Sequence, residues 1–402
     1  MLEGLRARLP KDKRVRKRRL VVMLLVAGLC PAAAASWSVP PARIDLDDTA
    51  LDIAGLAGGA LFGANDHQNR HASGVIKAMP RLHRDFDSGL SLGLDATITV
   101  SDVLSRGRYG GDVFEKAYAD ARTGLGRIEI GQTDGAAYDL SVSGPKVDAA
   151  VSLDNPQTTF FRDTATGHAF TDAFALRTAI GASSNYAKLA YLSPSLFGVQ
   201  LALSFTPGQG KEVLPFLHEG PHVAGRQADI WEGALQYSDE LGPVSLSAYA
   251  GVAEGRAEHK AAGQEGVSDL GAGLRADYPV NDDLTLSLGG AWRQSNAYAF
   301  QIARSYQAAT TTARQASATA TYDDWMLGVE YGDGDAGAVA GAPHLGLTGY
   351  ETVLGYSFSN SIQPSLGWQH LTYQRSRGNF YNGAPRIGLD AVFLHLNLKT
   401  TG

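Results

Sequence analysis

The chain predicts an all-β fold, a 16-stranded antiparallel transmembrane β-barrel, and three observations carry that expectation. Some sixteen short segments alternate apolar and polar side chains, and the gaps between them are alternately short and long. No run of 18 apolar residues occurs, so no helix of the sequence is expected to span a bilayer. Only helices and closed barrels satisfy every backbone polar group in lipid, which leaves repeated alternating strands to close on themselves.

Residues 1–35 read as a signal peptide. Lys11, Lys13, Arg14, Arg16, Lys17, Arg18 and Arg19 form a basic start, Leu20 to Leu29 an apolar stretch of ten residues, and Ala32 to Ala35 a small-residue cleavage site, cut after Ala34 or Ala35. The single cysteine, Cys30, lies in this leader behind Leu29, not behind the small residue a lipid anchor requires, so the exported chain is expected to carry no thiol chemistry. The leader holds nine Lys/Arg against two Asp/Glu, a charge of +7, and its removal takes the chain from −6 to −13. That balance argues against a nucleic-acid partner. A short N-terminal segment, 36–50, then leads into the barrel, 51–402. A secreted β-sandwich is the alternative that composition alone allows, but one unbroken series of strands fits a single barrel better.

The predicted strands are 51–64, 73–85, 89–101, 113–122, 126–135, 184–193, 197–207, 227–238, 243–255, 267–278, 284–296, 313–322, 325–333, 349–358, 362–374 and 387–398. Tight-turn residues fill the short gaps, among them Asp87-Ser88-Gly89, Thr123 to Gly126, Asp239 to Gly242 and Asn281 to Asp283. An even strand number puts both termini on one side, with short turns toward the periplasm and long loops outside. Alternation assigns the faces. Leu284, Leu286 and Leu288 point to lipid and Thr285, Ser287 and Arg293 inward; Val199, Leu201, Leu203 and Phe205 point out and Gln200 and Ser204 in; Trp325, Leu327, Val329 and Tyr331 point out and Glu330 in. A slip of one residue would invert each set. Tyr237, Tyr278, Trp292, Tyr322, Trp325, Tyr356 and Phe358 gather near strand ends, where interfacial girdles belong, although aromatics favour any strand.

One gap, 136–183, dominates the chain. A structureless surface loop of that length is uncommon. It carries Asp139, Asp148, Asp154, Asp163 and Asp172 against Lys146, Arg162 and Arg177, and Phe160, Phe161, Phe170 and Phe174 need a surface to pack on. Folding into the barrel supplies that surface; an exterior flap is the other arrangement.

Around this gap the chain resembles the general diffusion porins of Gram-negative bacteria, in their alphaproteobacterial branch. The resemblance rests on the run Ala117-Tyr-Ala-Asp-Ala-Arg-Thr-Gly-Leu-Gly-Arg-Ile-Glu-Ile-Gly-Gln132 before the loop. It rests equally on Asn185-Tyr-Ala-Lys-Leu-Ala-Tyr-Leu-Ser-Pro194 and Gly198-Val-Gln-Leu-Ala-Leu-Ser-Phe205 after it. It implies a 16-stranded barrel, usually a homotrimer, whose third loop folds inward to narrow a water-filled pore. It also implies an acidic loop set against a basic wall. The loop acids are those named above; Lys77, Arg81, Lys116, Arg122 and Arg127 are the expected wall, with Lys188, Arg275 and Arg293 also inward by register. Opposed charges would put a transverse field across the neck and bias ion passage. The chain departs from the family pattern at Val392 to Gly402, where alternation persists without a terminal aromatic, so insertion is expected either to be less efficient or to use a different terminal signal.

The expected activity is therefore passive diffusion of small hydrophilic solutes and ions across the outer membrane, with the membrane's lipid as surroundings, no enzyme chemistry and no cofactor. The −13 charge hints at cations. A sugar or dicarboxylate channel on the same barrel is the rival, with Tyr118, Tyr138, Tyr186, Tyr249 and Phe160 as a stacking track; a barrel plugged by its loop is another. Asp66-His67 sets an acid beside a histidine, as an activated hydroxyl would need, but no second acidic pair stands at a matching rim position, and His67 and His71 read as loop histidines. His218-Glu219-Gly220-Pro221-His222 has the letters of a zinc motif, but Gly220-Pro221 breaks the helix it needs. Asp333 and Asp335, in Tyr331 to Asp335, give a weak Ca²⁺ signal on an expected flexible loop.

Overall fold

The computed structural model describes residues 40–46, 48–64, 72–101, 114–149, 151–153, 176–209, 226–258, 264–297, 306–336, 344–380 and 383–400. Residues 1–35, the expected leader, lie outside them. The strands are β1 (Ala42–Leu46), β2 (Thr49–Ala64), β3 (Ala72–Asp85), β4 (Ser91–Ser101), β5 (Phe114–Thr123), β6 (Gly126–Gln132), β7 (Ala187–Leu192), β8 (Val199–Gly208), β9 (Gln227–Leu241) and β10 (Val244–Ala257). They continue as β11 (Ser268–Pro279), β12 (Leu284–Ala297), β13 (Tyr306–Tyr322), β14 (Trp325–Ala336), β15 (Leu345–Tyr356), β16 (Ile362–Arg375) and β17 (Arg386–Lys399).

Strands β2 to β17 form a closed ring of sixteen. Each pairs antiparallel with its sequence neighbours, and β17 returns to β2 from Ala391↔Ala64 to Lys399↔Leu56. Closure removes the free edges that an open sheet would leave in lipid. At the seam Thr400 continues the ladder: its N–H donates to the Gly55 carbonyl at 2.9 Å and its Oγ1 accepts from the Gly55 N–H at 3.0 Å. Beyond that point β1 takes over the same edge of β2, pairing Ala42↔Ile53 through Leu46↔Thr49. The sequence reading leaves β1 out because five residues are too few for alternation to register.

Connections alternate as expected. Seven tight ones sit at one end, and left-handed residues make their turns, such as Gly242 (φ 64°) before Pro243 and Asp323 (φ 50°) in the two-residue link between β13 and β14. Asn281 Oδ1 accepts from the N–H groups of Asp283 and Leu284, closing another.

The outer face carries a band of exposed Leu and Val, including Leu201, Leu203, Leu235, Leu274, Leu288, Leu327, Val329, Leu354 and Leu394. Aromatics border it on both sides. Tyr278, Tyr322, Trp325 and Tyr356 lie at the short-turn end, with Trp325 and Tyr356 rings 4.7 Å apart. Phe205 and Trp231 (4.5 Å) and Tyr331 and Tyr350 (5.2 Å) lie toward the long loops. Trp292 belongs with this second belt, level with Ala272 on β11.

The inner face differs from the uniformly polar lumen that alternation suggests. On β2 and β15–β17 the inward positions Phe62, Val353, Leu371, Tyr373, Leu389 and Phe393 are apolar and buried. They are buried because the third loop covers them: Val147, Val151, Leu153 and Leu176 belong to the same cluster. Strand β13 also starts at Tyr306, seven residues before its expected start, while β6 stops at Gln132, three short of it. The run Tyr331 to Asp335 lies within β14 and is not a loop.

Candidate pore and the loop inside it

The third loop leaves β6 at Gln132 and turns inward through α1 (Ala136–Asp139). Its described outbound arm, 133–153, follows the inner wall from β8 to β17. The Ala136 N–H donates to Ser204 Oγ on β8 at 3.0 Å and the Ala137 N–H to Glu232 Oε2 on β9 at 3.2 Å. The Tyr249 hydroxyl on β10 donates to the Ala137 carbonyl at 2.7 Å, and Ser317 Oγ on β13 donates to the Pro145 carbonyl at 2.7 Å. The return arm, 176–183, retraces this path: Thr178 meets Gln315 on β13, and the Ser183 N–H donates to Glu232 Oε1 at 3.0 Å.

Two positions show why the loop can lie so close. A Cβ on Gly273 of β11 would overlap the Val142 carbonyl, and one on Gly328 of β14 would come within 2.8 Å of Val147. We expect Gly273→Val to cost about 1–3 kcal/mol through overpacking and to push the arm off the wall. The expected readout is a broadened, less regular conductance with unchanged heat-modifiable mobility of the barrel.

A buried acid and a buried base clamp the loop root. Glu232 accepts one N–H from each arm, and Lys188 donates to the Thr133 and Ser184 carbonyls. Lys188 is thus no pore-lining cation; its inward register carries it under the loop, where it is buried.

The five expected wall bases share one contiguous inner surface on β3, β5 and β6. Each is paired there with an acid of the wall or of the loop root. Lys77 binds Glu115 at 2.5 Å, and Lys116 binds Asp134. Arg81 lies 3.6 Å from Asp95 and 3.5 Å from Asp120; Arg122 reaches Asp120 at 2.6 Å; Arg127 binds Glu129, and its guanidinium also donates to the Tyr118 hydroxyl at 3.2 Å. Sequence reasoning finds the bases but not these partners, because Asp95, Asp120 and Glu129 become neighbours only through strand register.

The loop acids separate. Asp139 is exposed at the end of α1, in the field of Lys116 and Arg127. The surrounding protein partly strips water from its carboxyl, and Asp134 and Glu129 repel its charge, so its pKa is pushed up to about 7. Asp148 faces away from the basic wall. It is buried against β16 and β17, where it accepts from Ser365 Oγ, lies 2.9 Å from His395 Nδ1 and accepts the Val151 N–H at 2.8 Å. Burial alone would raise its pKa, but these partners, His395 first, hold it below 3.8. A lowered carboxylate pKa contributes stability above the unfolded value that is lost as pH falls through the folded one. The contact of Asp148 with Ser365 and His395 is therefore expected to hold at neutral pH and loosen only in strong acid.

Asp154, Asp163 and Asp172 lie outside the described residues, as do Phe160, Phe161, Phe170 and Phe174. So do Asp66, His67, His71 and the segment His218 to His222. Asp333 sits 3.7 Å from Arg314, so a cation would have to compete with a guanidinium there. Arg275 and Arg293 are engaged by Asp277 and Asp269.

A closed 16-stranded barrel with an apolar outer band, two aromatic borders and a charged inner wall is an outer-membrane channel. The sequence agrees: the model of the Gram-negative porin family matches residues 25–373, and the chain belongs to that family. Solved structures with the same fold include OmpT of Vibrio cholerae in a trimer form (TM-score 0.55, 11% identity, 88% of this chain and 100% of that one). An anion-selective porin from Comamonas acidovorans matches at TM-score 0.55 and 14% identity, over 87% of this chain and 99% of that one. The outer membrane channel DcaP of Acinetobacter baumannii matches at 0.55 and 12%, over 87% and 97%. No curated protein sequence matches the chain. Family and fold place it in the bacterial outer membrane as a channel for passive diffusion.

Proposed function

We propose that the chain is a general diffusion porin, a homotrimer after removal of its leader, that passes small hydrophilic solutes and ions without a cofactor or a covalent step. One observation carries this reading. The described parts of the third loop lie flat on the β8–β17 side, while the charged side chains of β3, β5 and β6 stay partly open to water. A constriction bounded by loop and basic wall fits that division better than a plug. The trimer is supported by small outward residues on adjoining strands, among them Gly55, Ala57, Gly59, Ala78, Ala96 and Ala119, which let flat faces approach.

Swelling of liposomes containing the protein, with sugars of increasing size, tests the reading. Rates that fall smoothly with size and do not saturate fit a general porin. A fast, saturable rate for one sugar or dicarboxylate would favour the specific-channel rival.

Asp139 adds a pH dependence. Its carboxyl is charged above about 7 and neutral below, so raising pH from 6 to 8 adds a negative charge beside Lys116 and Arg127. Its raised pKa also means the folded loop loses stability as pH rises toward 7. We expect the cation share of the current to rise over that interval, and Asp139→Asn to flatten the response.

A further inference from the structure

The inner charges are not merely paired; they are layered. In pair after pair the carboxylate is sunk into the wall and the base lies over it. The Arg122 side chain is 39% exposed above an Asp120 that is 0% exposed, and Arg127 is 28% exposed above a Glu129 that is 0% exposed. The same order holds for Lys116 over Asp134, Arg293 over Asp269 and Arg275 over Asp277, which adds β11 and β12 to the pattern; Lys77 with Glu115 and His83 with Asp52 are exceptions among the described pairs. Of the other inward acids, Glu232 and Glu330 each accept a loop N–H and are buried, and Glu351 is buried beside them, while Asp95 lies beside the more exposed Arg81 and Asp52, 29% exposed, lies between Arg43 and His83; the loop's own Asp148 is buried against β16 and β17. On the described parts of the loop the exposed charges are Asp139, Lys146 and Arg177, one acid against two bases.

A pair that is neutral as a formal sum is not neutral to a solute. The nearer charge dominates, since Coulomb energy falls with distance and is screened by water. A solute touching this wall meets guanidinium and ammonium groups first, with carboxylates a layer behind. Guanidinium also offers a planar donor fork that matches carboxylate and phosphate oxygens.

We propose that the neck selects small anions, with carboxylates and phosphates as the solute class, against the cation preference that the chain's net charge suggests. Arg122 and Arg127 form the short-turn end of an anion path that continues through Arg81 to Lys116. The inference rests on the diffusion reading above. Net charge misleads here because it counts buried carboxylates and exterior loops equally with the groups a solute meets.

The test is the reversal potential of the full chain in a planar bilayer under a KCl gradient. The expected result is chloride more permeant than potassium. Arg122→Gln and Arg127→Gln are each expected to lower the ratio about two- to threefold, the effect of one unit charge a few ångströms away in water. Arg314→Gln, on the outer face, should leave it unchanged. Should Arg127→Gln fail to fold because the buried Glu129 loses its cation, Arg122→Gln keeps the test, since Asp120 retains Arg81 and Arg127. Inorganic phosphate is expected to reduce the chloride current in the parent and less in Arg122→Gln. Potassium preference in the parent, or a ratio that neither substitution moves, overturns the inference and leaves the porin reading standing. A folded barrel without conductance overturns the porin reading itself.

Discussion

Deleting residues 145–175 raises single-channel conductance by about twofold or more, since ion flow through a water-filled neck scales with its open section. The barrel should survive the cut. Its sixteen strands close through their own ladder, and the described parts of the loop add no strand to it. The cut ends are also near each other: Gly144 rests on Ser317 of β13, and Leu176 rests on Gly332 of β14, whose register partner Gln315 is two residues away. The deletion uncovers Leu371, Tyr373, Leu389 and Phe393, which lose Val147, Val151 and Leu153 as neighbours. A lower melting temperature with intact heat-modifiable mobility is therefore expected beside the larger conductance. Unchanged conductance in a folded deletion would place the loop outside the current path.

Glu232→Ala has the second large effect, and it acts at the loop root. The carboxylate holds the Ala137 N–H of the outbound arm and the Ser183 N–H of the return arm. Removing it orphans two buried donors at roughly 1–3 kcal/mol each and takes one of several acids out of the field at Lys188. The barrel wall at β9 loses no ladder hydrogen bond, because Glu232 contributes its backbone to β8 and β10 regardless. The expected phenotype is a loop that detaches while the barrel persists, seen as frequent conductance substates. Glu232→Gln, which keeps one acceptor, should lie between parent and alanine variant.

Much of the fold was legible because a barrel strand is a local pattern. Leu201, Leu203 and Phe205 declare their face by period two, and the turn residues around Gly242 and Asn281 mark where it stops. What alternation cannot show is the cover on an inward face. Leu371, Leu389 and Phe393 point inward, where a water-filled lumen calls for polar groups, and only the loop laid over them explains their chemistry. Lys188 fails in the same way: its register is inward, but depth beneath the loop makes it a clamp and not a pore charge. The wall bases were legible as types, whereas the sunken Asp120 and Glu129 depend on pairing between β4, β5 and β6. Asp148 looked like its acidic neighbours in the loop until its position placed it against His395, 247 residues away.

The most direct test of the account is a recording of single channels from the purified full-length protein in a planar bilayer. A water-filled trimeric porin predicts stable, ohmic openings that close in three equal steps and are not blocked by any one sugar. A folded protein that never conducts, or that conducts only in small steps abolished by a single solute, would contradict it.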